Sequence, residues 1–137
     1  MKYTIIILAV LLLTAMSAHA QVVVIAHKSV QASSMSSAQV SNIFTMSTRE
    51  WPNGEKVTVF DQKEEAARKK FFSYIRKSPV EVKKLWLRMQ LSGEGKAPET
   101  LNSDDDVIQK VVSTPGAIGY VHADKVSNDV KVIATIN

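Results

Sequence analysis

The sequence has 137 residues, with 17 Lys and Arg against 13 Asp and Glu, and no cysteine. That length suits one domain with a modest core, and 45% hydrophobic with 22% charged residues excludes a disordered tail or a fibrous repeat. The lack of cysteine excludes a disulfide framework, a thiolate zinc site, a cysteine-ligated iron–sulfur cluster and a cysteine nucleophile.

The chain opens Met1-Lys2-Tyr3-Thr4, runs apolar from Ile5 to Leu13 and reaches Ala18-His19-Ala20. A positive start, a short apolar core and an A-x-A ending form the pattern of a secretory signal peptide, with cleavage expected after Ala20. An apolar run of that length reaches only about half way across a bilayer core, which argues against an anchor. The expected product, residues 21–137, is periplasmic or secreted, has no later membrane span and carries a net charge of +3 once Lys2 is removed. So small a charge, mixed in sign along the chain, gives no reason to expect nucleic acid.

Val22-Val23-Val24-Ile25-Ala26 is a β-branched apolar run, the pattern of a strand buried on both faces. A serine-rich loop, His27 to Ser37, follows. Ser36 and Gln39 then form a capping box for a helix with Val40, Ile43 and Phe44 on its apolar side. Trp51-Pro52-Asn53-Gly54 is a turn, and Val57-Thr58-Val59-Phe60 a second strand. A helix is expected from about Glu64 to Arg76, with Ala67, Phe71, Tyr74 and Ile75 inward and Glu64–Arg68 and Glu65–Lys69 as i,i+4 ion pairs. Ser78-Pro79-Val80-Glu81 starts another, with Val82, Leu85, Trp86 and Met89 on one face. The Ser92–Pro98 stretch reads as a loop. Ser103 caps a further helix whose first turn, Asp104-Asp105-Asp106, suits the positive end of the helix dipole, and Val107, Val111 and Val112 are expected to pack it. Thr114-Pro115-Gly116 ends that helix, and 117–121 and 130–133 are the last strands. The resulting order, β-α-β-α-α-α-β-β, predicts a single α/β domain, a layered sandwich with a mixed, mostly parallel sheet.

Three stretches, in order, resemble the family of periplasmic phosphate-binding proteins that feed ABC transporters. The first is Val40-Ser41-Asn42-Ile43-Phe44 with Trp51-Pro52-Asn53-Gly54. The second is Arg68-Lys69-Lys70-Phe71-Phe72 with Leu85-Trp86 and Gly93-Glu94-Gly95. The third, and the most specific, is Asp105-Asp106-Val107 through Val112 with Thr114-Pro115-Gly116-Ala117-Ile118-Gly119-Tyr120-Val121. The resemblance covers roughly residues 22–121. It implies a fold like one lobe of a type II periplasmic binding protein, with a ligand such as phosphate or a similar small oxyanion held by helix N-termini and hydroxyls. Members of that family that grip phosphate show Ser-Gly-Thr-Arg at the start of the helix after the second strand. This chain reads Glu65-Ala66-Ala67-Arg68, so the resemblance carries over Arg68 alone.

The residues themselves offer a second cradle, the loop after the first strand: Lys28, Ser29 and Ser33 combine a cation, hydroxyls and free amides at a helix entry. The bland alternatives are a soluble, capped loop and, for Arg68, a surface pair with Glu64. His27 and His122 stand alone, and the three aspartates lack calcium-loop spacing, so no metal and no cofactor are expected. No nucleophile elbow or paired carboxylates mark an enzyme. Two readings of function remain. One is a solute-binding-like protein for phosphate or a similar oxyanion. The other is a single-lobe interaction or scaffold module of the cell envelope, working with a protein partner or as a homodimer.

Overall fold

The computed structural model describes residues 21–136, so the predicted signal segment lies outside the described residues. Strand β1 (Val22–Ala26) is buried at every position, as a continuous β-branched run requires when both sheet faces are covered. Helix α1 (Ser37–Phe44) begins at the expected capping box: Ser36 Oγ accepts from Gln39 N at 3.2 Å, and Gln39 Oε1 accepts from Ser36 N at 2.9 Å. There follow β2 (Thr58–Gln62), α2 (Glu65–Tyr74), α3 (Pro79–Leu91), β3 (Glu99–Leu101), α4 (Asp104–Ser113), β4 (Ala117–His122) and β5 (Lys131–Ile136).

The sheet order is β3-β2-β4-β1-β5. β2 is parallel to both its neighbours, whereas β1 is antiparallel to both β4 and β5. Four strands therefore run one way and β1 runs the other, the mixed, mostly parallel sheet that the element order predicts. Alternation along β1 divides the core. Val22, Val24 and Ala26 join Val40, Phe44, Phe71 and Trp86 beneath α1, α2 and α3, while Val23 and Ile25 join Val107 and Val111 beneath α4. The sheet is thus covered on both sides.

Local differences from the sequence reading have local causes. β3 is three residues long and opens on an exposed glutamate, too short to show a period, and it exists because the edge of β2 offers it a ladder. β2 runs on through Asp61 and Gln62, polar residues that are fully buried because other segments supply their partners. Phe72, rather than Tyr74, completes the buried face of α2. Val112 is exposed, since it lies about 100° round α4 from Val111. Ser78 occupies the cap position of α3 but makes no side-chain cap bond, which leaves Pro79 at the first turn to set the start. Both indoles are structural: Trp51 donates to Gly116 O at 2.9 Å and Trp86 to Phe44 O at 2.8 Å, each buried.

Gly116 is where these segments meet. Its carbonyl accepts from Trp51 Nε1 and Thr58 N, its N–H donates to Ser29 Oγ, and its φ of +75° is left-handed. A Cβ there would lie 2.2 Å from the Lys56 carbonyl oxygen. We expect Gly116→Ala to destabilise the fold by about 2 kcal/mol or more, read as a lower urea midpoint with an unchanged m value.

Candidate functional site

The carboxyl ends of β2 and β4 carry a polar network that the sequence reading did not assemble. Asp61, at the end of β2, is fully buried. One of its oxygens accepts from the Tyr120 hydroxyl at 2.5 Å. The other accepts from Arg68 Nη1 at 3.0 Å and from the Thr100 hydroxyl at 3.4 Å. Four elements, β2, β3, α2 and β4, are tied together by one carboxylate. Tyr120 is held for this role by stacking on Phe71, with ring centroids 4.0 Å apart and planes 5° off parallel. Burial, first, and then the negative Asp61 beside it push the Tyr120 phenol well above its usual pKa.

Beside it, Gln62 donates through Nε2 to Asp104 Oδ1 at 2.9 Å and to the Tyr120 carbonyl at 2.6 Å. Two acceptors on that side fix the amide orientation. Asp104, the first residue of α4, also faces His122: its Oδ2 lies 2.8 Å from Nδ1, and Glu64 Oε2 lies 3.9 Å from the same nitrogen. Glu64 itself caps α2, its two carboxylate oxygens accepting from Ala66 N at 3.2 Å and Ala67 N at 2.7 Å. The expected Glu64–Arg68 ion pair gives way to Glu64 on the helix N-terminus and Arg68 on Asp61, because Asp61 is buried and an unpaired buried carboxylate is far costlier than an unpaired surface one. At the entry to α2, the free amides and the guanidinium that could hold an anion are therefore both engaged by the chain's own carboxylates.

The four candidates Lys28, Ser29, Ser33 and Arg68 are not brought together. Ser29 lies beside Gly116, at the start of β4, whereas Arg68 lies with Tyr120 near its end, about 13 Å along the strand. The Ser29 hydroxyl donates to Glu55 Oε1 at 2.9 Å and accepts from Gly116 N at 3.1 Å, joining the loop to the turn. Lys28 and Ser33 are exposed. Asp61 and Tyr120 could have been flagged from the sequence, since ligand crevices of α/β sheets lie at the carboxyl ends of strands. Gln62 and Asp104 carried no such signal, because a buried Gln–Asp contact joins residues 42 positions apart.

Along the amino-terminal half of β2 lies an open cleft of about 660 Å³, with Arg49, Lys56, Lys96 and Lys110 against Glu94 and Glu99. Two of its cations are engaged: Arg49 donates to the Glu94 carbonyl at 2.6 Å, and Lys110 lies 3.9 Å from the Glu99 carboxylate. Among the described residues no cluster of His, Asp and Glu could hold a metal ion, and no helix is long and apolar enough to cross a membrane.

No protein-family model and no curated protein sequence matches the chain. Solved structures do match it in fold. A phosphate ABC transporter substrate-binding protein with bound phosphate from Clostridium perfringens superposes with a TM-score of 0.68 at 15% identity, over 82% of this chain and 43% of that one. An ABC-type phosphate transport receptor from Vibrio cholerae gives 0.63 at 15% identity, over 82% and 44%. PstS from Borrelia burgdorferi gives 0.62 at 13%, over 82% and 46%. The chain has the fold of part of these solute-binding proteins and spans less than half of their length.

Removing the charge of Asp61 tests the network. Asp61→Asn leaves Arg68 without its partner and is expected to destabilise the fold by about 3 kcal/mol in urea unfolding. Because the fold favours the neutral Tyr120 phenol, the stability it confers is present below the ordinary phenol pKa of about 10 and is lost as pH climbs past it. In an alkaline titration, Tyr120 phenolate absorbance is expected to appear only together with loss of folded circular dichroism, and Tyr120→Phe to remove that component.

Proposed function

We propose that this chain is an exported, non-enzymatic interaction module of the cell envelope, in which the solute-binding fold serves as a scaffold and not as a trap for phosphate. One observation carries this reading: the anion seat at the start of α2 is filled from within, by the Glu64 carboxylate on the amides of Ala66 and Ala67 and by Asp61 on Arg68. A phosphate arriving there would have to displace one carboxylate and leave another buried without its cation. Asp104 adds a third acid beside the same edge. The segment before Gln21 favours export, and the sequence shows neither a nucleophile elbow nor an acid–base pair that would favour catalysis.

The cleft beside β2 supports a second reading, a small oxyanion held by Arg49, Lys56, Lys96 and Lys110, with Lys28 and Ser29 at the same end of the sheet. It is the weaker of the two, because Glu94 and Glu99 line the same cleft and two of its cations already have partners.

Calorimetric titration of inorganic phosphate into the chain from residue 21 onward, at low salt, separates the two. The scaffold reading expects no saturable heat. Binding at micromolar affinity would overturn it, and its loss in Lys56→Ala/Lys96→Ala or in Lys28→Ala/Ser29→Ala/Arg68→Ala would say which group of residues holds the anion.

A further inference from the structure

Charge is distributed very unevenly over this chain. Of the 16 Lys and Arg in residues 21–137, eight fall between positions 66 and 91, where Glu81 is the only acid. That segment, α2 after Glu65 with the linker and α3, carries +7, and the remainder of residues 21–137 carries −4. Arg68 pairs with Asp61. Lys69, Arg76, Lys77, Lys83, Lys84 and Arg88 are exposed.

The same helices hold most of the exposed large apolar side chains among the described residues. Val80 is 62% exposed, Leu87 55% and Leu91 79%, against 41% each for Val112 and Val132 elsewhere. At 100° per residue, Val80, Leu87 and Leu91 fall within a sector of about 40° on α3, on the side away from the buried Val82, Trp86 and Met89. Lys83 stands on one side of that stripe, and Lys84 and Arg88 on the other. The stripe is about 16 Å long. A shallow groove lined by Lys69, Arg76, Lys77 and Pro79 continues the cationic surface from the end of α2 to the start of α3. What sets Val80, Leu87 and Leu91 apart from scattered exposed aliphatics is that they form one contiguous stripe.

We propose that the outer face of α3 docks on an anionic phospholipid surface, with Val80, Leu87 and Leu91 entering the interface and the flanking lysines and arginines on lipid phosphates. An apolar centre flanked by Lys83 on one side and by Lys84 and Arg88 on the other, with Glu81 the one acid beyond Arg88, fits a surface that is apolar within and negative at its boundary. A second copy of the same face is disfavoured, because it would bring Lys83, Lys84 and Arg88 against their own counterparts. The proposal goes beyond the scaffold reading and does not depend on it: it concerns α3, not the entry to α2.

The test is co-sedimentation of the chain from residue 21 onward, its fold checked by circular dichroism. The vesicles are phosphatidylcholine alone and phosphatidylcholine with one third phosphatidylglycerol. The expected result is binding to the anionic vesicles only, weakened by sodium chloride. Lys83→Glu/Lys84→Glu is expected to bind about tenfold more weakly or worse. Leu87→Ser/Leu91→Ser, two exposed substitutions that leave the core intact, is expected to lose the binding that survives added salt. Equal binding to both vesicle types, no binding, or unchanged binding by both double variants would overturn the proposal. No vesicle binding would also point to an acidic protein surface as the occupant. Displacement by inorganic phosphate beyond that given by chloride of equal ionic strength would equally overturn it, by identifying a site for the free anion.

Discussion

The burial of one carboxylate, Asp61, organises the carboxyl edge of the sheet. A charge removed from water must be met by donors, and here they come from three other elements: a hydroxyl on β4, a guanidinium on α2 and a hydroxyl at β3. The position of each donor follows from that demand. Tyr120 reaches Asp61 because β2 and β4 run in parallel register and Phe71 holds the ring flat. Arg68 turns back along its helix toward the sheet instead of outward toward solvent. Its guanidinium also lies over the Phe72 ring, 5.1 Å from the centroid, which adds a favourable cation–π contact on the same side.

The second consequence concerns the helix entry. With Arg68 committed to Asp61, the positive end of α2 is left to a local group, and Glu64 takes it. His122 and Asp104 close the remaining gap on the β4 side. The crevice that an α/β sheet of this kind offers at its carboxyl edge is therefore neutralised by the chain's own side chains. The solved structures that share the fold include one with phosphate bound, and shared architecture by itself does not carry a ligand across.

At the other end of the sheet, Gly116 and Ser29 play a comparable structural part. The serine hydroxyl bridges a glutamate and a backbone amide, a use of a loop hydroxyl that does not require a ligand. The exposed charge is distributed by sign: acids around the entries of α2 and α4, cations along the outer faces of α2 and α3. The cationic face is the one that also exposes aliphatic side chains, and there the molecule has contact chemistry left to offer.

The sequence by itself determined the layered α/β class, the strand in 22–26, the Ser36–Gln39 capping box, the Ser103 cap and the Pro-Gly punctuation, and the family resemblance whose fold the structure bears out. These are legible because periodicity, capping and turn chemistry act over a few residues. It also placed Trp86 in the core, through its helical stripe. The tertiary structure alone decided which polar residues meet. Asp61 with Tyr120 and Gln62 with Asp104 join positions 59 and 42 residues apart, and nothing in local spacing encodes such a pairing. Spacing likewise pointed Arg68 at Glu64, four residues back, whereas a buried charge elsewhere claimed it, because desolvation outweighs an exposed pair. Lys28, Ser29, Ser33 and Arg68 were each readable as anion contacts one by one. Their distribution over opposite ends of one sheet follows from strand direction, which only the assembled fold sets.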